Sequence, residues 1–382
     1  MFRIQMFLYS FLSAALIFQY EPMMAVKGIS QQLGLSLLSL IQIVIIFSII
    51  IYGKFLDRGY LKEKVIRCTL SLRIVLSLLF YILPGGEIFL FTFLIYQIGA
   101  TGLDIFFETS ILIRSSYHKE EFGKFRMFGS LGYATSGFFI TVLLMLTNDM
   151  RNIFLLIAFI NGLLFYLNIN HPVSVPEQKE PRITSKKKLP LTYNLLLICC
   201  TFIITVPNSF GYLLNSFYQE VYILELTEAA LYSSIAVFIG SCISEMFGFY
   251  STDWFVRRYS SSFVMFLGFI FCCIRWVLAY VSPHPIIFTL SYLFHGVSFA
   301  FLYFGCVEFI KNRVGRKLAG TIVFRFTFFA NLSGVVLAQI YAVLLDHIES
   351  KTLLLFFIMV CFIGLAMYLY LIRRWKIDLF SF

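Results

Sequence analysis

An all-α membrane protein, with 12 transmembrane helices in two pseudo-symmetric six-helix bundles, is the fold class this sequence predicts. Three observations carry that expectation. The first is composition: 382 residues, 60% hydrophobic and 13% charged, with a mean hydropathy of +0.87. Soluble domains are nearer 45–50% apolar and about 25% charged, and 46 Phe are too many for a soluble core to hide. The second is an alternation of basic and non-basic loops, and the third is an internal repeat.

A spanning helix needs about 20 mostly apolar residues. Candidate spans are centred near residues 16, 43, 75, 100, 136, 160, 204, 240, 270, 298, 331 and 362. The first, MFRIQMFLYSFLSAALIFQY, follows a basic residue with a long apolar run. It has no small-x-small cleavage site before Glu21 and is expected to be a retained span. The longest polar stretch, HPVSVPEQKEPRITSKKKLP, runs from His171 to Pro190 and is rich in Pro, Lys and Glu. The expected organisation is therefore residues 1–170 as an N-terminal bundle, 171–192 as a cytoplasmic linker and 193–382 as a C-terminal bundle.

The chain carries 30 Lys and Arg against 20 Asp and Glu. In a soluble protein that excess could suggest nucleic acid. Here 22 of the 30 fall in one alternating set of termini, loops and linker, while the other set holds Lys27, Arg151 and Lys351. By the positive-inside rule both termini and the linker are expected in the cytoplasm. The eight Cys are scattered through apolar runs without metal or disulfide spacing and are expected as small apolar fillers. No cofactor, metal or nucleic-acid partner is predicted.

The repeat pairs SLRIVLSLLFYILP around Arg73 with CIRWVLAYVSP around Arg275, and more weakly KFRMFGSLGYATSG with VFRFTFFANLSG. Repeated halves with intramembrane charge at matching places are typical of secondary transporters. An ionised side chain near the bilayer centre costs at least about 2.5–3.5 kcal/mol on insertion scales. Glu21, Asp104, Glu108 and Glu245 are therefore expected to face an interior or wet space, opposite Arg73, Arg126, Arg275, Arg325 and His295. Asp104 and Glu108 share one helix face, one turn apart, and Arg126, Ser130 and Tyr133 share a face of the following helix. A short loop joins the two, so Glu108 and Arg126 come to similar depth. An Arg fork beside a carboxylate can hold a pair of hydroxyls, and a Tyr ring can pack on a sugar face. A buried ion pair that merely joins two helices is the plainer alternative.

EFGKFRMFGSLGYA resembles the start of helix 5 in the lactose permease-like group of oligosaccharide:proton symporters, within the major facilitator superfamily. That resemblance implies sugar-binding roles for Arg126 and Glu108, and a ring-stacking role for Tyr133. SCISEMFG, CCIRWVL and YLFHGVSF are similar to the family's later helices, which implies coupling roles for Glu245, Arg275 and His295. GKFLDRGYLKEK is similar to the superfamily's helix 2–3 loop, with Asp57 as a conformational latch. Ser298 stands where that group carries its protonating Glu, and Tyr292 where it has Lys. Helix 7 has no acid, and Asn331 is near the expected Lys of helix 11. The pattern Tyr-x-x-His-Gly-x-x-Phe is closer to the branch with phenylpropionate permease-like and nucleoside symporter-like proteins.

The expected function is secondary active transport, a proton-coupled symport of a small polar solute such as a sugar or nucleoside. The two halves would rock around a midplane cavity, giving alternating access. Solute would contact Glu108, Arg126, Tyr133, Asp104 and Glu245. Protons would be handled by Glu245, His295 and Arg275, with Asp57, Arg73 and Glu21 as gating or structural charges. The alternative is uptake or efflux of an aromatic or other organic acid, with Arg73, Arg126 and Arg275 as carboxylate clamps. Dispersed His118, His171, His284 and His347, and no Asp-rich loop, argue against a membrane enzyme. The partners expected are the solute, a proton and membrane lipids, for a monomer in the cell (inner) membrane.

Overall fold

A computed structural model describes residues 1–57, 63–118, 122–171, 190–314, 319–344 and 347–375. These residues are almost wholly helical. Two compact units divide the chain, Met1–Lys179 and Glu180–Phe382. Each of the sequence-predicted span centres falls in a helical element. Among the described residues, nine helical runs are long and apolar enough to cross a membrane, and Phe2–Ile17 is a shorter apolar helix.

The first unit contains α1 (Phe2–Phe18), α2 (Tyr20–Val26), α3 (Gln31–Asp57), α4 (Glu63–Ile82), α5 (Glu87–His118), α6 (Phe122–Thr147) and α7 (Asn152–Asn170). The second contains α8 (Leu191–Phe210), a 3₁₀ turn (Gly211–Leu213), α9 (Leu214–Tyr222), α10 (Leu226–Val237) and a π-helical segment (Phe238–Glu245). It continues with α11 (Met246–Arg258), α12 (Ser261–Val281), α13 (Pro285–Leu290), α14 (Tyr292–Val314), α15 (Ala319–Leu344) and α16 (Ser350–Arg374). Several boundaries have local causes. Pro207, near the end of α8, cannot donate to the carbonyl one turn back, and the helix tightens into the 3₁₀ turn soon after. Ser260 caps α12 by accepting the Phe263 N–H at 3.1 Å, and Pro285 occupies the first turn of α13, where its missing N–H has no helical partner to lose.

The same packing order recurs in both units. In the first, α1 packs on α6, α3 on α5 and α4 on α7; in the second, α8 packs on α15, the π segment and α11 on α14, and α12 on α16. Lipid-compatible surface follows from which faces are left out. Phe47, Phe159, Leu146 and Tyr250 are exposed, while Arg73, Arg275, Asn161 and Ser136 are buried. Apolar surroundings offer no hydrophobic drive between helices, so close approach and internal hydrogen bonds must hold them. Gly132 of α6 shows this: a Cβ there would sit 2.0 Å from the Phe7 carbonyl oxygen of α1, so only glycine lets the helices meet. Thr205 of α8 likewise donates to the Ala330 carbonyl of α15 at 3.3 Å.

Two of the three basic residues expected on the outer side have local partners. Lys27 is buried; its Nζ donates to the Leu83 carbonyl and lies 5.5 and 5.4 Å from the Phe89 and Phe154 ring centroids. Burial, with repulsion from Arg151, holds its amine below the ordinary lysine range. Gly85 closes over the same turn, since a Cβ would fall 1.7 Å from the Lys27 carbonyl oxygen. Arg151 pairs with Asp149 at 2.8 Å. Those hydrogen bonds hold the Asp149 carboxyl below its usual value.

Candidate functional site

In the first unit the polar centre is built around Arg73 of α4, which is 1% exposed. Its Nη2 donates to Tyr96 Oη of α5 at 2.6 Å, and its Cζ lies 4.4 Å from the same ring's centroid. Tyr96 Oη also accepts from Asn161 Nδ2 of α7 at 3.1 Å. Arg73 Nε and Nη1 have no hydrogen-bond partner. Asp104 lies about two turns along α5 from Tyr96 and accepts from Tyr9 Oη of α1 at 2.8 Å. Phe107 stacks on Tyr9 with ring centroids 4.9 Å apart. The bonded partner of Arg73 is thus a tyrosine hydroxyl.

Other predicted residues of this unit are less completely placed. Glu108 lies on α5 and Arg126 on α6, but both side chains lie outside the described residues, so their expected meeting does too. The side chains of Glu21 and Asp57 also lie outside the described residues. Tyr133 is half-buried on α6, near buried Ser130.

The second unit has a related centre on α12, π segment and α14. Arg275 is 1% exposed, with Cζ 4.1 Å from the Trp276 ring centroid and 4.5 Å from that of Tyr292. The Tyr292 and His295 rings lie 5.7 Å apart at 70°. Arg275 Nε and Nη1, Trp276 Nε1, Tyr292 Oη and His295 Nδ1 are all buried without a hydrogen-bond partner. Ser298 donates to the His295 carbonyl at 2.8 Å and supplies no charge.

Glu245 is the half-buried last residue of the π segment. π-Helical turns are rare and tend to occur at functional sites. This one is pressed against α14: a Cβ on Gly296 would lie 2.1 Å from the Gly240 carbonyl oxygen and 2.2 Å from the Glu245 nitrogen. Ser244 stitches the contact, donating to the Leu293 carbonyl and accepting the Val297 N–H at 2.9 Å. A Cβ on Gly240 would lie 3.2 Å from Tyr292 Cδ1 and 3.3 Å from His295 Cδ2. Elsewhere in the unit, Arg325 Nη1 donates to Asn194 Oδ1 at 2.6 Å, and Glu308 pairs with Lys311 within α14.

Sequence reasoning missed Tyr9, Tyr96 and Asn161, and assigned no role to Trp276. Asn161 was the readable signal, an amide in the middle of IAFINGLLFY. Tyr residues in so aromatic a chain carry no comparable mark.

No curated protein sequence matches this chain. Among solved structures it is similar to the crystal structure of the nucleoside transporter NupG, with 16% identity over 97% of this chain and 98% of that one, and a TM-score of 0.76. It is also similar to an auto-inhibited POT family peptide transporter, with 12% identity over 98% and 96% and a TM-score of 0.78. A bacterial homolog of the human lysosomal transporter Spinster gives 11% identity over 97% and 95% and a TM-score of 0.70. At such identities these likenesses show the fold alone. The profile of the MFS_1 like family covers residues 3–330. This chain therefore belongs to the MFS_1 like family, and is a multi-pass membrane transporter of the major facilitator superfamily rather than an enzyme.

Proposed function

We propose that this chain is a proton-coupled symporter of a small polar solute, with nucleosides and sugars as the leading classes, working by alternating access. The observation that carries the reading is a pair of polar centres: buried Arg73 and Tyr96, with Asp104 bonded to Tyr9, in one unit, and buried Arg275 and Tyr292 with half-buried His295 in the other. Such groups are expensive in an apolar envelope and are kept where solute or protons must be handled. The nucleoside transporter among the similar structures supports nucleosides as the first class to test.

In this reading Glu108, Arg126, Tyr133, Asp104 and Glu245 contact solute. Glu245 and His295 exchange the proton, and Arg275 biases their ionisation. Asp57, Arg73 and Glu21 serve as gating or structural charges. The working boundaries are residues 1–170 and 193–382 with a cytoplasmic linker at 171–192, both termini cytoplasmic, in a monomer of the inner membrane.

The test is uptake of labelled nucleosides, disaccharides and aromatic acids into vesicles with an imposed pH gradient. Acid-outside stimulation of one neutral class supports the symport reading. Uptake indifferent to the gradient overturns proton coupling. A second reading, transport of an organic acid, is favoured by one observation: Arg73 and Arg275 have no carboxylate within ion-pair distance among the described residues.

A further inference from the structure

Arg275 poses a charge-balance problem that the transport reading leaves open. A guanidinium stays protonated at any physiological pH, and a buried charge without a partner is strongly unfavourable. Arg73, its counterpart in the repeat, has a hydroxyl bonded to Nη2. Arg275 has two aromatic faces and, among the described residues, no carboxylate in ion-pair range. Ser298, on the same helix as Tyr292 and His295, is uncharged, and its hydroxyl is already donated to a helix carbonyl.

The unpartnered atoms around Arg275 share a chemistry. Arg275 Nε and Nη1 and Trp276 Nε1 can only donate; Tyr292 Oη and His295 Nδ1 can donate as well. A buried set of donors with one fixed positive charge matches an anion. We propose that Arg275, Tyr292 and His295 bind a monovalent anion that supplies the counter-charge absent among the described residues. Its source is a carboxylate on the solute or a free halide. The inference goes beyond symport, since a neutral-solute symporter would equally need the charge balanced.

The chain has three Trp, so Trp254→Phe with Trp375→Phe leaves Trp276, stacked on Arg275, as the one indole. The full-length double variant in lipid nanodiscs is titrated with sodium chloride and, separately, sodium benzoate, sulfate serving as the ionic-strength control. A saturable change in Trp276 fluorescence is expected. Saturation by chloride alone assigns a free halide, by benzoate alone a solute carboxylate, and by both a shared site. Adding Arg275→Gln should abolish the response. Because that variant can fail to fold, Tyr292→Phe provides a milder step, weakening binding about tenfold for one lost bond to a charged group. No saturable response to either salt in folded protein, or a response unchanged in Tyr292→Phe, overturns the inference. Gradient-driven uptake that persists without any anion response leaves the symport reading standing and removes only this one.

Discussion

The two halves of the molecule set the same pair of residue types, a buried Arg and a Tyr, in matching helices and finish the job differently. Arg73 stacks on Tyr96 and is bonded to its hydroxyl, which also receives Asn161. Arg275 stacks on Tyr292, whose hydroxyl has no partner. Both arginines keep an unpartnered Nε and Nη1; the first centre uses its tyrosine hydroxyl internally, while in the second the Tyr292 hydroxyl, Trp276 Nε1 and His295 Nδ1 are unpartnered as well. A repeat can thus preserve a stacking geometry while its hydrogen bonding diverges, and the copy with more unpartnered groups is where a mobile ligand has most to gain.

Graded variants test how far the two halves differ. The largest expected effect is on coupling: Glu245→Gln should reduce pH-gradient-driven uptake by at least about tenfold, equivalent to about 1.4 kcal/mol, and by more than it slows solute exchange. Asp104→Asn, in the other half, should weaken solute affinity without abolishing the gradient response. Equal losses of gradient response in both would erase the functional asymmetry. Next come the close backbone contacts. Gly296→Val and Gly132→Val each force apart helices that meet at the backbone and should lower stability by about 1–3 kcal/mol or more, read as a drop in Tm.

The tyrosines give the sharpest contrast. Tyr96→Phe strands two donors and should destabilise by about 1–3 kcal/mol, whereas Tyr292→Phe, in anion-free buffer, should stay within about 0.5 kcal/mol of the parent. Matching losses would show that the Tyr292 hydroxyl has a partner after all. The smallest effect belongs to Asp149. Its folded-state carboxyl lies below the ordinary 3.8, so it favours folding above that pH and loses the contribution as pH falls further. The pair is exposed, so Asp149→Asn should change Tm at neutral pH little, and only a comparison with acidic buffer should reveal it.

Apolar runs and loop charge made the helical fold readable because a bilayer imposes a length and a sidedness on sequence. The Arg73–Arg275 repeat was also readable, since charge in an apolar run stands out. The partners were not. Tyr96 and Tyr292 reach their arginines across helix pairs, and helix rotation is fixed by small-residue contacts such as Gly240 with Tyr292, which hydropathy does not encode. The π segment was equally invisible, because nothing in FIGSCISE departs from a helix-forming run. It alters which face Glu245 presents, a matter of backbone register rather than residue type.

Lys27 and Gly85 carry a separate consequence. The lysine's amine seals the end of α4 at Leu83, while its own carbonyl fills the space a side chain at Gly85 would take. The two turns thus interlock as tenon and mortise. A chimera that borrowed one of them from a relative and kept the other would inherit a joint that cannot close, however well its helices matched.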